Sequence, residues 1–157
     1  MGNRKVIALF LSVLFLTGFL SSQGQPVAVE LIAADASVPP GGRTTIAARF
    51  RIKPGWHIYA QKPGDAGLPT KVTWEAPPEV KIGPLQWPPA QQFLEAGDLK
   101  TSGYTDEVIA ASRLTVSAKA APAPLLIHAK VEWLACKDLC VPGRAQLDLS
   151  LPVSAAP

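Results

Sequence analysis

Residues 127–151 are two alternating runs that meet at a pair of cysteines, and this arrangement leaves the chain little freedom of fold. Ile127, Ala129, Val131, Trp133 and Ala135 alternate with His128, Lys130, Glu132 and Leu134. That is the period-2 pattern of a strand with one buried face. Ala145, Leu147, Leu149 and Leu151 alternate with Gln146, Asp148 and Ser150, which predicts a second strand. Between them stand Cys136 and Cys140, the only cysteines in the chain. Pro142-Gly143 follows and is expected to complete the turn. Both sulfurs are therefore expected within bonding reach at the tip or edge of a hairpin, where another protein can touch them.

The rest of the chain repeats the pattern in shorter pieces. Residues 27–33 and 45–52 alternate as strands, separated by Val38-Pro39-Pro40-Gly41-Gly42. Residues 56–60 are short and aromatic. Residues 61–70 read as a Gly/Pro loop too broken for regular structure, in which Asp65 is expected to pin the backbone through an Asx turn. Residues 71–75 and 108–118 have strand character, and 81–87 a weaker form of it. Residues 90–105 carry no apolar period and read as a long surface loop, a kind of segment that often bears function. With 16 Pro, 12 Gly and no long helical periodicity, the expectation is an all-β, immunoglobulin-like antiparallel β-sandwich. Trp56, Tyr59, Trp74, Trp87 and Trp133 are assigned to its core.

Residues 1–24 are set apart as an export signal. Arg4 and Lys5 precede an apolar run over 6–20, and Ser22-Gln23-Gly24 offers small residues for cleavage. Fifteen apolar residues fall short of the ~20 needed to span a membrane. No membrane span is expected once the signal is removed, and residues 25–157 form one domain. Without Arg4 and Lys5 the chain has 13 basic residues against 12 acidic ones, a balance that argues against nucleic acid as a partner.

Export places the cysteines in an oxidising compartment, where an even count means a disulfide. Two roles are open to it. As a staple it closes a five-residue loop, for which chain entropy gives only about 2 kcal/mol. A domain of this size buries a real core without staples. A short loop at an exposed strand end suits thiol–disulfide exchange better, since attack needs access to sulfur. Lys137 and Asp138 act on the thiols in opposite senses and decide nothing. Two thiolates with His57 or His128 would make a soft metal site. However, His128 lies eight residues from Cys136, about 26 Å along a strand, and His57 stands in a distant block. His57 reads as a hydrogen-bonded structural residue. No metal and no cofactor is expected.

Four blocks, in order, resemble one family: Pro54-Gly55-Trp56-His57-Ile58-Tyr59-Ala60; Pro63-Gly64-Asp65-Ala66-Gly67-Leu68-Pro69-Thr70; Trp87-Pro88-Pro89 with Phe93; and Trp133 through Gly143. Gly103-Tyr104 fits a fifth position. The family is the N-terminal periplasmic domain of the membrane thiol:disulfide interchange protein DsbD, also described as a disulfide bond corrector domain. The resemblance implies a redox-active pair that passes electrons from a thioredoxin-like donor, or a membrane electron-transfer protein, to oxidised periplasmic proteins. It implies that Cys140 makes the mixed disulfide and Cys136 resolves it. It also implies a cap loop, expected near residues 99–107, with Gly103 and Tyr104 in or beside it. The C-x3-C spacing is shorter than in the best-known member. The chain stops at Pro157 without membrane-embedded or thioredoxin-like parts, so any reductant is expected to be another polypeptide. The alternative is a non-catalytic β-sandwich adaptor with a structural disulfide.

Overall fold

The alternating runs become strands whose buried positions keep the period of two. The computed structural model describes residues 24–154, so the expected export signal lies outside the described residues, Gly24 excepted. In chain order the strands are β1 (Val27–Ala33), β2 (Arg43–Ile52), β3 (His57–Gly64), β4 (Lys71–Glu75) and β5 (Val80–Ile82). They continue as β6 (Gln91–Glu95), β7 (Leu99–Tyr104), β8 (Glu107–Val116), β9 (Leu125–Cys136) and β10 (Cys140–Leu151). One sheet has the order β1-β2-β8-β5; the other runs β10-β9-β3-β7-β6, with β4 also paired to β9. Together they make an all-β, immunoglobulin-like antiparallel sandwich. Among the described residues no helix is long and apolar enough to cross a membrane.

The sheets meet through their inward residues. Ala48 and Phe50 of β2, Ala110 of β8, Ile58 of β3 and Val131 and Trp133 of β9 form one buried cluster. Ile46, Leu114, Ile127 and Leu151 centre a second. Fully burying one large apolar side chain contributes about 1.5–3 kcal/mol, so these two clusters carry the fold. The aromatic residues fall as expected. Tyr59 and Trp133 are buried, and Trp56, Trp74 and Trp87 pack against the core at its margin.

Three expectations need correction. Residues 90–105 are not a surface loop but the β6–β7 hairpin, in register from Gln91 against Gly103 to Glu95 against Leu99. Apart from Tyr104 at its end, its buried positions hold Thr101 and Gly103 rather than apolar residues, so hydrophobicity gave no period. Gly97 and Asp98, both at positive φ, make its tight connection. The 61–70 stretch is regular as far as Gly64, because β3 continues through a bulge against β7. Asp65 makes no local Asx turn there: its carboxylate accepts the Lys100 amide at 2.9 Å, tying the loop to β7.

The third correction concerns the turn at the cysteines. It consists of residues 137–139, with the Lys137 amide donating to the Leu139 carbonyl at 3.1 Å. Pro142 and Gly143 lie inside β10, opposite Leu134 and Trp133. β10 is an edge strand, where a residue without an N–H is tolerated. Gly143 is there because the Trp133 indole lies across it: an added Cβ would stand 2.1 Å from Trp133 Cε2. That indole meets the Phe50 ring edge-on at 6.3 Å and cannot retreat freely. Gly143→Ala should therefore lower stability by about 1–3 kcal/mol, read from urea denaturation. An unchanged midpoint would show that the indole is free to move aside.

Candidate functional site

β9 is shared between neighbours. One edge pairs with β10 throughout. The other pairs with β4 from Glu132 back to His128 and, after Trp133 and Leu134, with β3 at its last two residues. Ala135 stands against Ile58 and Cys136 against His57. One row across the sheet thus reads Cys140, Cys136, His57. Residues opposite one another project from the same face, with Cβ atoms about 4.5–5.5 Å apart. Ala135 and Ile58, one step along, are fully buried in the core. The cysteines and His57 accordingly face outward. The sequence had put His57 in a distant block, and strand pairing brings it beside Cys136.

Cys136 and Cys140 form a disulfide. The Lys137–Leu139 hydrogen bond makes the next position, 136 against 140, a non-hydrogen-bonded pair, where facing side chains sit closest. The two sulfurs are unequal. Cys136 is 3% exposed, whereas Cys140 is open to solvent. Beside them the Lys137 side chain rests on Gly55, whose added Cβ would lie 3.3 Å from Nζ.

The outward face next to Cys136 carries a polar cluster supplied by β3, β6 and β7. The His57 ring stacks on Phe93 with centroids 4.8 Å apart and meets Tyr59 edge-on at 5.1 Å. Glu95 accepts hydrogen bonds from Thr101 Oγ1 at 2.7 Å and from the Tyr59 hydroxyl at 2.9 Å. His57 Nε2 lies 3.4 Å from the same carboxylate. This nitrogen is buried and has no aligned hydrogen-bond partner. The Thr101 hydrogen bond holds the Glu95 carboxyl below the usual carboxylate range. Burial opposes the shift, and Tyr59 and His57 add to it. Burial, then the hydrogen bond to Glu95, pushes the Tyr59 hydroxyl up to about 12. The phenol therefore stays a donor and the carboxyl stays charged.

Gly103 and Tyr104 are strand residues of β7, not part of a loop. Gly103 approaches β3 so closely that a Cβ would stand 2.0 Å from the Ile58 carbonyl oxygen. Tyr104 pairs with Ile58 and is buried in the core cluster. Its ring stacks on Trp87 at 5.5 Å, and its hydroxyl donates to the Pro88 carbonyl at 2.9 Å. Pairing with Ile58 turns Tyr104 inward. Residues 99–107 are thus mostly strand, and Phe93 and Glu95 of β6 are the residues beside the cysteine face. Sequence reasoning missed Glu95 and Thr101. Centring a hairpin on Gly97-Asp98 would have put Phe93, Glu95 and Thr101 on one face. His128 is exposed and pairs with Asp148 across the β9–β10 hairpin, away from the cysteines.

An immunoglobulin-like sandwich with a thiol–disulfide pair at the end of its longest hairpin defines the class of the protein. A family model described as "Thiol:disulfide interchange protein DsbD, N-terminal" matches residues 24–152, and the chain belongs to that family. No curated protein matches it. Among solved structures, the N-terminal periplasmic domain of ScsB from Proteus mirabilis is similar, with 21% identity and a TM-score of 0.62. The match covers 83% of this chain and 49% of that one, so the chain spans about half the length of this relative. The reduced DsbD N-terminal domain from Neisseria meningitidis is 18% identical with a TM-score of 0.49, covering 79% of this chain and 85% of that one. A variant of the Bacillus cereus major pilin subunit BcpA also matches, at 12% identity and a TM-score of 0.51, over 82% of this chain and 40% of that one. The sandwich is therefore shared with a pilin, and function has to be argued from the site.

A carboxyl with a lowered folded-state pKa adds stability above the ordinary carboxylate range and loses it as pH falls through the folded value. Glu95→Gln should thus be less stable than the unaltered protein near neutral pH. The gap should narrow below the carboxylate range, as read by urea denaturation at both pH values. A gap independent of pH would show that the charge of Glu95 adds nothing.

Proposed function

We propose that this chain is a periplasmic thiol–disulfide exchange module, acting as a protein-disulfide oxidoreductase that depends on a partner reductant. The observation that carries the reading is the inequality of the two sulfurs. Cys140 is exposed at the strand end, while Cys136 is 3% exposed behind it. Exchange proceeds by thiolate attack on an accessible sulfur, so Cys140 meets the partner and Cys136 acts from inside. Export, read from residues 1–24, supports an oxidising compartment.

The reduced pair delivers two electrons in two steps. The Cys140 thiolate attacks one sulfur of a partner disulfide, that bond breaks, and the leaving thiolate takes a proton. Cys136, having lost its proton, then attacks the Cys140 sulfur. The mixed disulfide breaks, the second partner thiolate is released and protonated, and the Cys136–Cys140 disulfide re-forms. Reduction by a dithiol donor runs the same steps in reverse. A thioredoxin-fold protein or a membrane electron-transfer protein is the class of donor, and oxidised periplasmic proteins are the acceptors. The exposed Leu139 beside Cys140 gives such partners an apolar contact.

The reduced Cys136→Ser variant should accumulate a mixed disulfide at Cys140 with an oxidised protein, read by mass. Cys140→Ser should accumulate none. Both should remain folded, because the five-residue loop contributes only about 2 kcal/mol. The potential of the pair in glutathione buffers should fall between about −180 and −270 mV, among exchange proteins. A value below about −300 mV, or unfolding of either variant, would assign the disulfide a structural role and overturn the reading.

A further inference from the structure

The resolving step sets a chemical problem. Cys136 is 3% exposed, and burial in apolar surroundings disfavours a thiolate. Yet this thiol must lose its proton to attack the Cys140 sulfur. We propose that His57, stacked on Phe93 and facing Glu95, takes the proton of Cys136 as that thiol resolves the mixed disulfide on Cys140. The inference rests on the exchange reading above and assigns a residue to its second step.

Four observations converge on His57. It stands opposite Cys136 in the sheet register, so its side chain leaves the same face at neighbouring distance. Its Nε2 is buried with no hydrogen-bond partner, 3.4 Å from a carboxylate. Among the described residues no hydrogen bond occupies its other ring nitrogen. The stack on Phe93 at 4.8 Å and the edge contact with Tyr59 hold the ring in place. The imidazole thus stands between the Glu95 carboxylate and the strand position of Cys136. Glu95 is kept charged by Thr101 and Tyr59 and stabilises the imidazolium that forms. Glu95 is a positioning residue, since it acts through His57.

The charged and titratable groups around His57 are Glu95 from β6, Tyr59 from β3, Cys136 and Cys140 from β9 and β10, and Lys137 from the turn. The Lys137 side chain rests on Gly55. Imidazole is the side chain suited to accept and return a proton near neutral pH. In the balanced step the Cys136 proton moves to His57 and the Cys136–Cys140 bond forms. The partner thiolate departs, and His57 passes the proton to solvent or to the leaving thiolate.

The chromogenic disulfide dithionitrobenzoate separates the two steps. The reduced protein releases one thionitrobenzoate as Cys140 forms the mixed disulfide and a second as Cys136 resolves it. His57→Gln should slow the second release by about tenfold or more near neutral pH and move its rise to higher pH. The first release should be unchanged. Glu95→Gln should slow the second release by less. Imidazole added to His57→Ala should restore part of the rate, which a purely structural role would not allow. A second release in His57→Gln with unaltered rate and pH profile would overturn the inference. So would equal slowing of both releases with no response to imidazole. An unaltered protein that gives no second release would overturn the exchange reading itself, and this inference with it.

Discussion

The pairing of β9 with different neighbours along its two edges is the constraint from which the rest of the site follows. β10 follows one edge to the end. The opposite edge changes hands, from β4 to β3, just before Cys136. Backbone groups of a buried strand must be paired, and on this edge the last two residues of β9 pair with His57 and Ile58. This exchange of partners sets the cysteine pair between an edge strand on one side and an aromatic and acidic cluster on the other.

The inequality of the two sulfurs has the same origin. Cys140 opens the edge strand, which has a strand neighbour on one side only. Cys136 ends a strand flanked on both sides and sits below the surface. A short disulfide in this position adds little to stability, because a hairpin turn already holds its ends together. The structure thus places an accessible sulfur and a protected one in a single five-residue loop. The exchange proposed above uses this asymmetry, with the accessible sulfur meeting a partner and the protected one resolving.

The β6–β7 hairpin illustrates how polar residues can build a structured surface without an apolar signature. Thr101 is fully buried, but its hydroxyl reaches Glu95, and Gly103 makes room for the Ile58 carbonyl. Buried polar groups of this kind are satisfied by one another, so their positions follow from tertiary neighbours rather than from periodicity. His57 is the counterpart on β3. Its imidazole lies in a partly buried position because Phe93 and Tyr59 enclose it, and the local run Trp56-His57-Ile58 carries no sign of either contact.

The chain by itself determined the long β9–β10 hairpin, the strands β1, β2, β4 and β8, the aromatic core and the closeness of the two cysteines. All of these depend on local alternation, turn residues or short sequence separation, and such signals survive in a one-dimensional reading. The family blocks added the expected class. Only the tertiary structure decided that Cys136 is buried and Cys140 is not, that His57 stands across from Cys136, and that Glu95 joins them. These are relations between strands far apart in sequence. They are selected by register and by the bulge in β3, and neither leaves a local pattern in the residues that it brings together.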